Sequence, residues 1–396
     1  MVCAMINRDI APKLSQAAKS WPAITLTGPR QSGKTTLCRT LFPDKQYESL
    51  EAIDVRAYAQ EDPRGFIADM PDGGIIDEVQ RAPDLLSYLQ GHIDENPVPG
   101  RWILTGSQNL SLLKSVSQSL AGRTAVYELL PLARSEVLRF RNHPEALEET
   151  LLTGSYPRIF DQGLEIQDWF RSYTLTYLER DVRMISNISD LSVFRRFLTL
   201  CAGRTAQLLN ISSLAGDCGI SQPTAKAWID ILETGYIAFR LPPLHSNLRK
   251  RIVKMPKLHF FDTGLICWLL GIRTADQLRA HPLRGSIFET WVVSELAKQR
   301  ANRGEAKDIS YYRDQNGAEA DLILERPMSK IIMECKSSST ASASMLASAK
   351  RVQEHLIRSG FRSTAVAVYA GDRAQHRKEG SLVPWNEFHQ VDWDAL

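Results

Sequence analysis

One eight-residue loop constrains this chain more than any other feature. Residues 28–35 read Gly28-Pro29-Arg30-Gln31-Ser32-Gly33-Lys34-Thr35, a complete GxxxxGKT, and Thr36 follows. A short apolar run, residues 23–27, precedes the loop, and an apolar-periodic stretch follows it. The order is strand, loop, helix. Glycines at both ends let backbone N–H groups curl around phosphate oxygens, and the helix N-terminus adds its dipole. Lys34 then neutralises the β and γ phosphates, and the Thr35 hydroxyl ligates magnesium. The expectation is ATP bound with Mg2+ across Gly28 to Thr36. The plain alternative is a glycine-rich turn with no ligand, and the flanking strand and helix argue against it.

Two further strand ends agree. "DGGIIDEVQ" is a buried-type strand ending in Asp77-Glu78, about forty residues after the loop. A carboxylate at such an end can hold magnesium, and a second can orient the attacking water. Asp77 is expected at the metal and Glu78 at the water. "RWILTGSQ" ends in Ser107, which either touches the γ-phosphate or the water, or is a plain turn residue. Arg123 stands just before the strand "TAVYELL". It is either a solvated surface arginine or an arginine finger that stabilises the transferred phosphoryl group in a neighbouring subunit.

With "WPAITLTGPRQSGKTTL", "IIDEVQRAPDLL" and "ILTGSQNLSLL…SLAGR" in view, the chain resembles the AAA-type ATP-binding proteins of bacteria and archaea. Members of that family pair this module with a C-terminal domain of unknown function. The resemblance implies a P-loop NTPase domain with a parallel sheet and helices on both faces. It also implies a site at a subunit interface, hence a homo-oligomer. It carries over to Gly28–Thr35, Asp77 and Glu78, and more weakly to Ser107 and Arg123. Trp21-Pro22 stands where many members have Phe-Pro.

The 396 residues leave room for two or three domains at ~150 residues each. Net charge is +3, too small to imply a polyanion partner, so any nucleic-acid surface must come from local clustering. The six cysteines are scattered without a CxxC pair, which argues against a zinc site or disulfide framework and fits reduced, cytoplasmic thiols. No apolar run reaches ~18 residues, so no membrane span is expected.

The expected α/β organisation is an AAA-type ATPase domain at 1–140, a helical linker at 141–205, a winged-helix region at 206–283 and a C-terminal domain at 284–396. Pro, Gly and Asn in "NHPEAL" and "LTGSYPRIFDQG" mark the first boundary. Residues from about 165 to 200 read as helical, and the charged stretch Tyr177–Arg183 is expected as an ion-paired helix face. "SSLAGDCG" reads as a helix opening on a Ser cap, and Gly219 as a sharp turn. A second helix follows, capped by Ser221 with Pro223 in its first turn, and then a strand "YIAFRL". Helix, turn, helix, strand is the helix-turn-helix plus wing arrangement. It puts Gln222, Thr224 and Lys226 where DNA contacts are made, although such modules also serve for protein packing. The basic run Arg249, Lys250, Arg251, Lys254 and Lys257 suits phosphate contact or the wet face of a strand, and Asp262 is available to pair with it.

The C-terminal third reads helix, three strands, helix, strand. "EADLILE" and "KIIMECK" place Asp321, Glu334 and Lys336 at strand ends, a set suited to holding magnesium against a phosphodiester. The order resembles the core of the restriction-endonuclease-like, or PD-(D/E)xK, superfamily. That resemblance implies Glu289 as a helix acid, Asp321 and Glu334 as metal ligands, and Lys336 orienting or deprotonating the nucleophile. Glu319, two residues before Asp321, is either a further ligand or a solvated charge. The domain either cleaves nucleic acid or keeps the fold for binding.

Overall fold

A computed structural model describes residues 6–107, 116, 119–178, 191–244, 255–315 and 317–396. The chain divides into two compact units. One takes residues 1–132 with the later segments 233–237 and 300–306; the other takes 133–232, 238–299 and 307–396.

The first unit begins with α1 (Ala11–Ala17), β1 (Ala23–Thr27) and α2 (Lys34–Leu41). It continues through β2 (Gln46–Ser49), β3 (Gly74–Asp77), α3 (Leu85–Glu95), β4 (Trp102–Gly106) and β5 (Thr124–Glu128). The strands form a five-stranded sheet in the order β2-β3-β4-β1-β5, and every pairing is parallel. β1, β3 and β4 are buried along their whole lengths, which is why they read as near-continuous apolar runs. Their side chains alternate between two cores. Trp102 and Leu104 of β4 pack on one face with Leu86 and Leu89 of α3. Ile103 packs on the other with Leu14 of α1 and Leu37 of α2. Helices therefore cover both faces, as expected, and the C-terminal ends of β1, β3 and β4 meet at one edge.

Two later segments complete this unit. Tyr236, in a left-handed turn (φ 56°), is buried, and its hydroxyl shares a 2.6 Å hydrogen bond with Thr27 Oγ1 at the end of β1. Gly304 (φ +67°) lies so close to Tyr127 that a Cβ there would fall 2.8 Å from the ring.

In the second unit, the Pro- and Gly-marked stretch expected as a boundary holds two short helices, Leu147–Thr153 and Pro157–Asp161. Gly154 (φ 70°) ends the first, and Pro157 opens the second with its preset φ. Helix Ile166–Tyr173 passes into a π-helical turn, Thr174–Leu178. The charged residues expected from 179 onward lie outside the described residues.

Next come α4 (Leu191–Ala202), β6 (Gln207–Leu208), α5 (Ile211–Cys218), α6 (Gln222–Thr234), β7 (Ala238–Leu241) and β8 (Lys257–Phe260). The three strands pair antiparallel in the order β6-β8-β7. The cap of α5 is Asn210, whose side chain accepts from the Ser213 N–H, rather than a serine. Gly219 (φ 73°) makes the expected turn, and Ser221 Oγ accepts from the Thr224 N–H at 3.2 Å. Ala225, Trp228, Ile229 and Leu232 bury one face of α6 at helical spacing. Trp228 meets Phe194 and Phe197 of α4 edge-on at 5.2 and 5.1 Å. The strand after α6 starts at Ala238, two residues later than "YIAFRL" suggests, because Tyr236 is drawn into the first unit.

Then α7 (Arg284–Asn302), β9 (Ile309–Arg313), β10 (Glu319–Glu325), β11 (Ser329–Lys336), α8 (Ala347–Arg358) and β12 (Arg362–Tyr369) follow in the expected order. β13 (Gln375–Arg377) and β14 (Gly380–Pro384) extend this into a six-stranded mixed sheet, β13-β14-β12-β11-β10-β9. The register of β10 against β9 shifts between Ala320 and Ile323, a bulge that contains Asp321. Among the described residues no helix is long and apolar enough to cross a membrane.

Tyr236→Phe removes a buried hydroxyl beside the end of β1. We expect it to lower stability by about 1–2 kcal/mol in urea denaturation, and an unchanged midpoint would show that the Thr27 contact contributes nothing.

Candidate functional site

The loop at the edge of the parallel sheet is shaped by close backbone contacts. Gly28 has φ +149°, and a Cβ there would lie 2.2 Å from the Leu129 carbonyl oxygen, so only glycine fits. Gln31 (φ 62°) and Gly33 (φ +92°) complete the left-handed bends. Ser32 Oγ donates to the Pro29 carbonyl at 3.0 Å. Arg8, which sequence reasoning missed, is buried beneath the loop. It donates to the Ser32 carbonyl at 2.7 Å and the Leu130 carbonyl at 2.9 Å. Its sequence neighbours, Asn7 and Asp9, are polar and do not mark it. Arg30 faces Glu51 at 3.6 Å, and Thr36 is exposed on α2.

Lys34 is buried, and its ammonium donates to the Gly28 and Pro29 carbonyls at 2.9 and 2.8 Å. Burial pulls its pKa below the ordinary lysine value, with Glu78 and Asp77 opposing. A buried cation held by neutral carbonyls is a fitting partner for a phosphate. One helical position on, Thr35 Oγ1 donates to Asp77 Oδ2 at 2.9 Å. Tyr47 Oη donates to the same oxygen at 2.8 Å, and Thr105 Oγ1 donates to Oδ1. Burial, then Asp77, pushes the Tyr47 phenol up to about 12, so it stays a donor. A hydroxyl and one carboxylate side by side fit magnesium, which takes few protein ligands and fills its remaining positions with phosphate and water.

Glu78 sits just past β3 in a left-handed conformation (φ 56°, ψ 43°), sparsely populated for a non-glycine residue. Its Oε2 accepts from Ser107 Oγ at 2.8 Å and from Gln80 Nε2. The structure thus brings Lys34, Thr35, Asp77, Glu78 and Ser107 to one place. It adds Gln80, which the short helical turn Val79–Arg81 folds back onto Glu78. Arg123 stands apart. Its guanidinium forms a two-point ion pair with Asp94 in the same chain, with Nη2 to Oδ2 at 2.8 Å.

The C-terminal set also converges, but around a lysine. Lys257 Nζ lies 2.9 Å from Glu289 Oε1, 3.2 Å from Glu319 Oε1 and 3.6 Å from Asp321 Oδ1. Burial alone would lower the Lys257 pKa. Glu289, Asp321 and Glu319 together reverse that and raise it. Glu334 Oε1 accepts from Lys336 Nζ at 2.6 Å, and Asp321 Oδ2 accepts from the Cys335 N–H at 2.9 Å. Burial, then Asp321, push the Glu289 pKa up, while the Lys257 ammonium opposes them and favours the carboxylate. Among the described residues no three His, Cys, Asp or Glu side chains form a group that could hold a metal ion. Where magnesium was expected at Glu289, Asp321 and Glu334, the Lys257 ammonium stands against the first two and the Lys336 ammonium against the third. Lys257 is thus no phosphate contact, because three acids bury it; Arg249, Lys250, Arg251 and Lys254 lie outside the described residues. Asp262 does not pair with Lys257, the described member of that run. It caps a helix through the Leu265 N–H at 2.8 Å and accepts from Ser155 N–H and Oγ at 2.6 and 2.9 Å.

Three family models match the chain. An AAA domain covers residues 20–138, a domain of unknown function (DUF8612) covers 144–276, and a second domain of unknown function (DUF4143) covers 284–388. An uncharacterized protein of Mycobacterium tuberculosis is 32% identical over 348 residues, which span 86% of this chain and 76% of that protein; one from Mycobacterium bovis matches equally. An uncharacterized protein of Methanocaldococcus jannaschii is 23% identical over 254 residues, 59% of this chain and 54% of the relative. Among solved structures, a Walker-type ATPase of Pyrococcus abyssi is similar at 15% identity with a TM-score of 0.39, covering 67% of this chain and 96% of that one.

Burial, then Asp321, pushes the Glu334 carboxyl from 4.5 up to about 7 against the pull of Lys336. Between those values the folded protein binds more protons than the unfolded chain, so stability falls as pH rises through that window. Glu334→Gln cannot ionise and lacks this loss. The stability of the wild type relative to Glu334→Gln should therefore drop by about 2–3 kcal/mol between pH 5 and pH 8 in urea denaturation. A difference independent of pH would show that the carboxyl ionises as readily folded as unfolded.

Proposed function

The chain belongs to the same family as these mycobacterial proteins, with an AAA domain followed by two domains of unknown function, and from that premise we propose that it binds ATP with magnesium, hydrolyses it, and couples the cycle to DNA. The observation that carries this is the buried Lys34 ammonium, whose hydrogen bonds among the described residues go to loop carbonyls, beside the Thr35–Asp77 hydrogen bond.

In this proposal Gly28 to Thr36 wrap the phosphates with backbone N–H groups, and Lys34 meets their charge. Thr35 and Asp77 would hold the magnesium, which would supply positive charge against that developing on the transferred group. Glu78 takes the proton of the attacking water on Oε1 while Ser107 and Gln80 hold its Oε2. Ser107 keeps Glu78 aimed at the phosphate. Arg123 leaves Asp94 and serves the site of a neighbouring copy, so the working form is a homo-oligomer.

DNA contact is supported by α5, Gly219 and α6, a helix-turn-helix followed by an antiparallel pair. Gln222 and Lys226 are exposed at the start of α6 and Thr224 is half-buried there. The order α7, β9, β10, β11, α8, β12 supports a restriction-endonuclease-like core. A second version, in which that core binds nucleic acid or protein without cutting, is favoured by the Lys257 ammonium among its acids.

Labelled-nucleotide binding and phosphate release test the ATPase together. Lys34→Ala should lose nucleotide binding by roughly tenfold or more. Glu78→Gln should keep binding and lose hydrolysis by about 10²–10⁴-fold, and Arg123→Ala should bind ATP but hydrolyse little. Chelating magnesium should stop release in the wild type. Normal hydrolysis by Glu78→Gln or Arg123→Ala would remove that residue from its role.

Labelled duplex and single-stranded DNA, incubated with magnesium or manganese with and without ATP, should be shifted on a gel and not cut. Lys226→Glu should weaken the shift, and added salt should weaken it steeply. Cutting that disappears in Asp321→Ala and Lys336→Ala would instead make the C-terminal domain a nuclease.

A further inference from the structure

Lys257 opens β8, yet its ammonium sits among acids from other elements: Glu289 on α7, and Glu319 and Asp321 on β10. An ammonium has three N–H donors and no acceptor. Here one donor bonds Glu289 Oε1 at 2.9 Å, and the Glu319 and Asp321 carboxylates stand within ion-pair distance at 3.2 and 3.6 Å. The lysine side chain is only 4% exposed, and it extends from strand backbone. That backbone is held on both sides. β8 pairs with β6 and with β7, and Tyr311 Oη donates to the Met255 carbonyl two residues before Lys257. The Tyr311 ring lies 5.5 Å from Nζ, its face toward the cation.

A hard divalent ion in this cluster would need Glu289 and Asp321 oxygens at about 2.0–2.6 Å. Nζ already lies 2.9 Å from the Glu289 oxygen and 3.6 Å from the Asp321 oxygen. The fourth acid, Glu334, is 6% exposed; its Oε1 meets Lys336, while Oε2 has no hydrogen-bond partner among the described residues. One buried acceptor therefore remains unsatisfied beside these acids.

We propose that Lys257 is the resident cation of the C-terminal acidic cluster, standing where a divalent metal would otherwise sit, and that removing its ammonium turns the cluster into a divalent-metal site. A lysine neutralises carboxylates and ties α7 to β10, but it does not acidify a water molecule as a metal ion does. The cluster thus works as a structural clamp. None of this depends on the ATPase proposal.

The test counts Mn2+ bound to the full-length, nucleotide-free protein, read from the loss of the free-ion electron paramagnetic resonance signal. Wild type, Asp321→Asn, Lys257→Met and the double variant are compared, so Mn2+ held elsewhere is common to all. Wild type and Asp321→Asn should bind the same number of equivalents. Lys257→Met should gain one, and the double variant should lose that gain. If Asp321→Asn alone binds one fewer than wild type, the metal displaces the lysine and the proposal falls. A Lys257→Met protein with wild-type circular dichroism and no gained equivalent also overturns it. Should Lys257→Met not fold, the wild-type and Asp321→Asn pair still decides whether the native cluster takes metal.

Discussion

Taking an ammonium ion out of water costs several kcal/mol unless the surroundings return that energy, and the structure places two lysines under this constraint with opposite results. Lys34 is buried against two neutral carbonyls of its own loop, and its pKa falls. Lys257 is buried against three carboxylates, and its pKa rises. The first arrangement leaves the cation short of counter-charge, which an anion can supply. The second is already saturated. The two sites differ in what they can accept because their lysines differ in what they already hold.

The phosphate loop and its strand were legible in the sequence because each part leaves a local trace: a five-residue apolar run, glycines at fixed offsets, and a helical period starting at Lys34. Asp77 and Ser107 were legible for the same reason, since each lies at or just past the end of a strand buried on both faces. Arg8 and Gln80 were not. Each acts through a contact set by the fold, and nothing nearby in sequence marks it. The C-terminal cluster shows the limit more sharply. Asp321, Glu334 and Lys336 were legible as polar residues at strand ends, Glu289 only through the family resemblance, and the structure does bring them together. Lys257 was placed with a basic run because its neighbours in sequence are basic, whereas its neighbours in space are acids. β13 and β14 were missed because "QHRKEGSLVP" lacks the apolar alternation of the central strands.

The backbone around Glu78 shows a different kind of constraint. A non-glycine residue in the left-handed region costs of order 1 kcal/mol, and here the bend turns the chain sharply off β3 so that Gln80 and Glu78 meet. Gly28 carries no such strain, yet the carbonyl of Leu129 leaves no room for any side chain. Steric exclusion on one side of the loop and conformational strain on the other set the edge of the sheet at which Lys34, Asp77 and Ser107 gather.

The parallel sheet is assembled from residues far apart along the chain. Tyr236 meets the end of β1 and Gly304 lies against Tyr127, although most of the unit is complete by residue 132. Synthesis on the ribosome runs from the N-terminus, so the strand that leads into the phosphate loop emerges about two hundred residues before its buried tyrosine partner. During that interval the nascent sheet has all its strands but lacks the segments 233–237 and 300–306. A truncation ending near residue 140 would preserve that unfinished state permanently, with the end of β1 exposed where Tyr236 belongs.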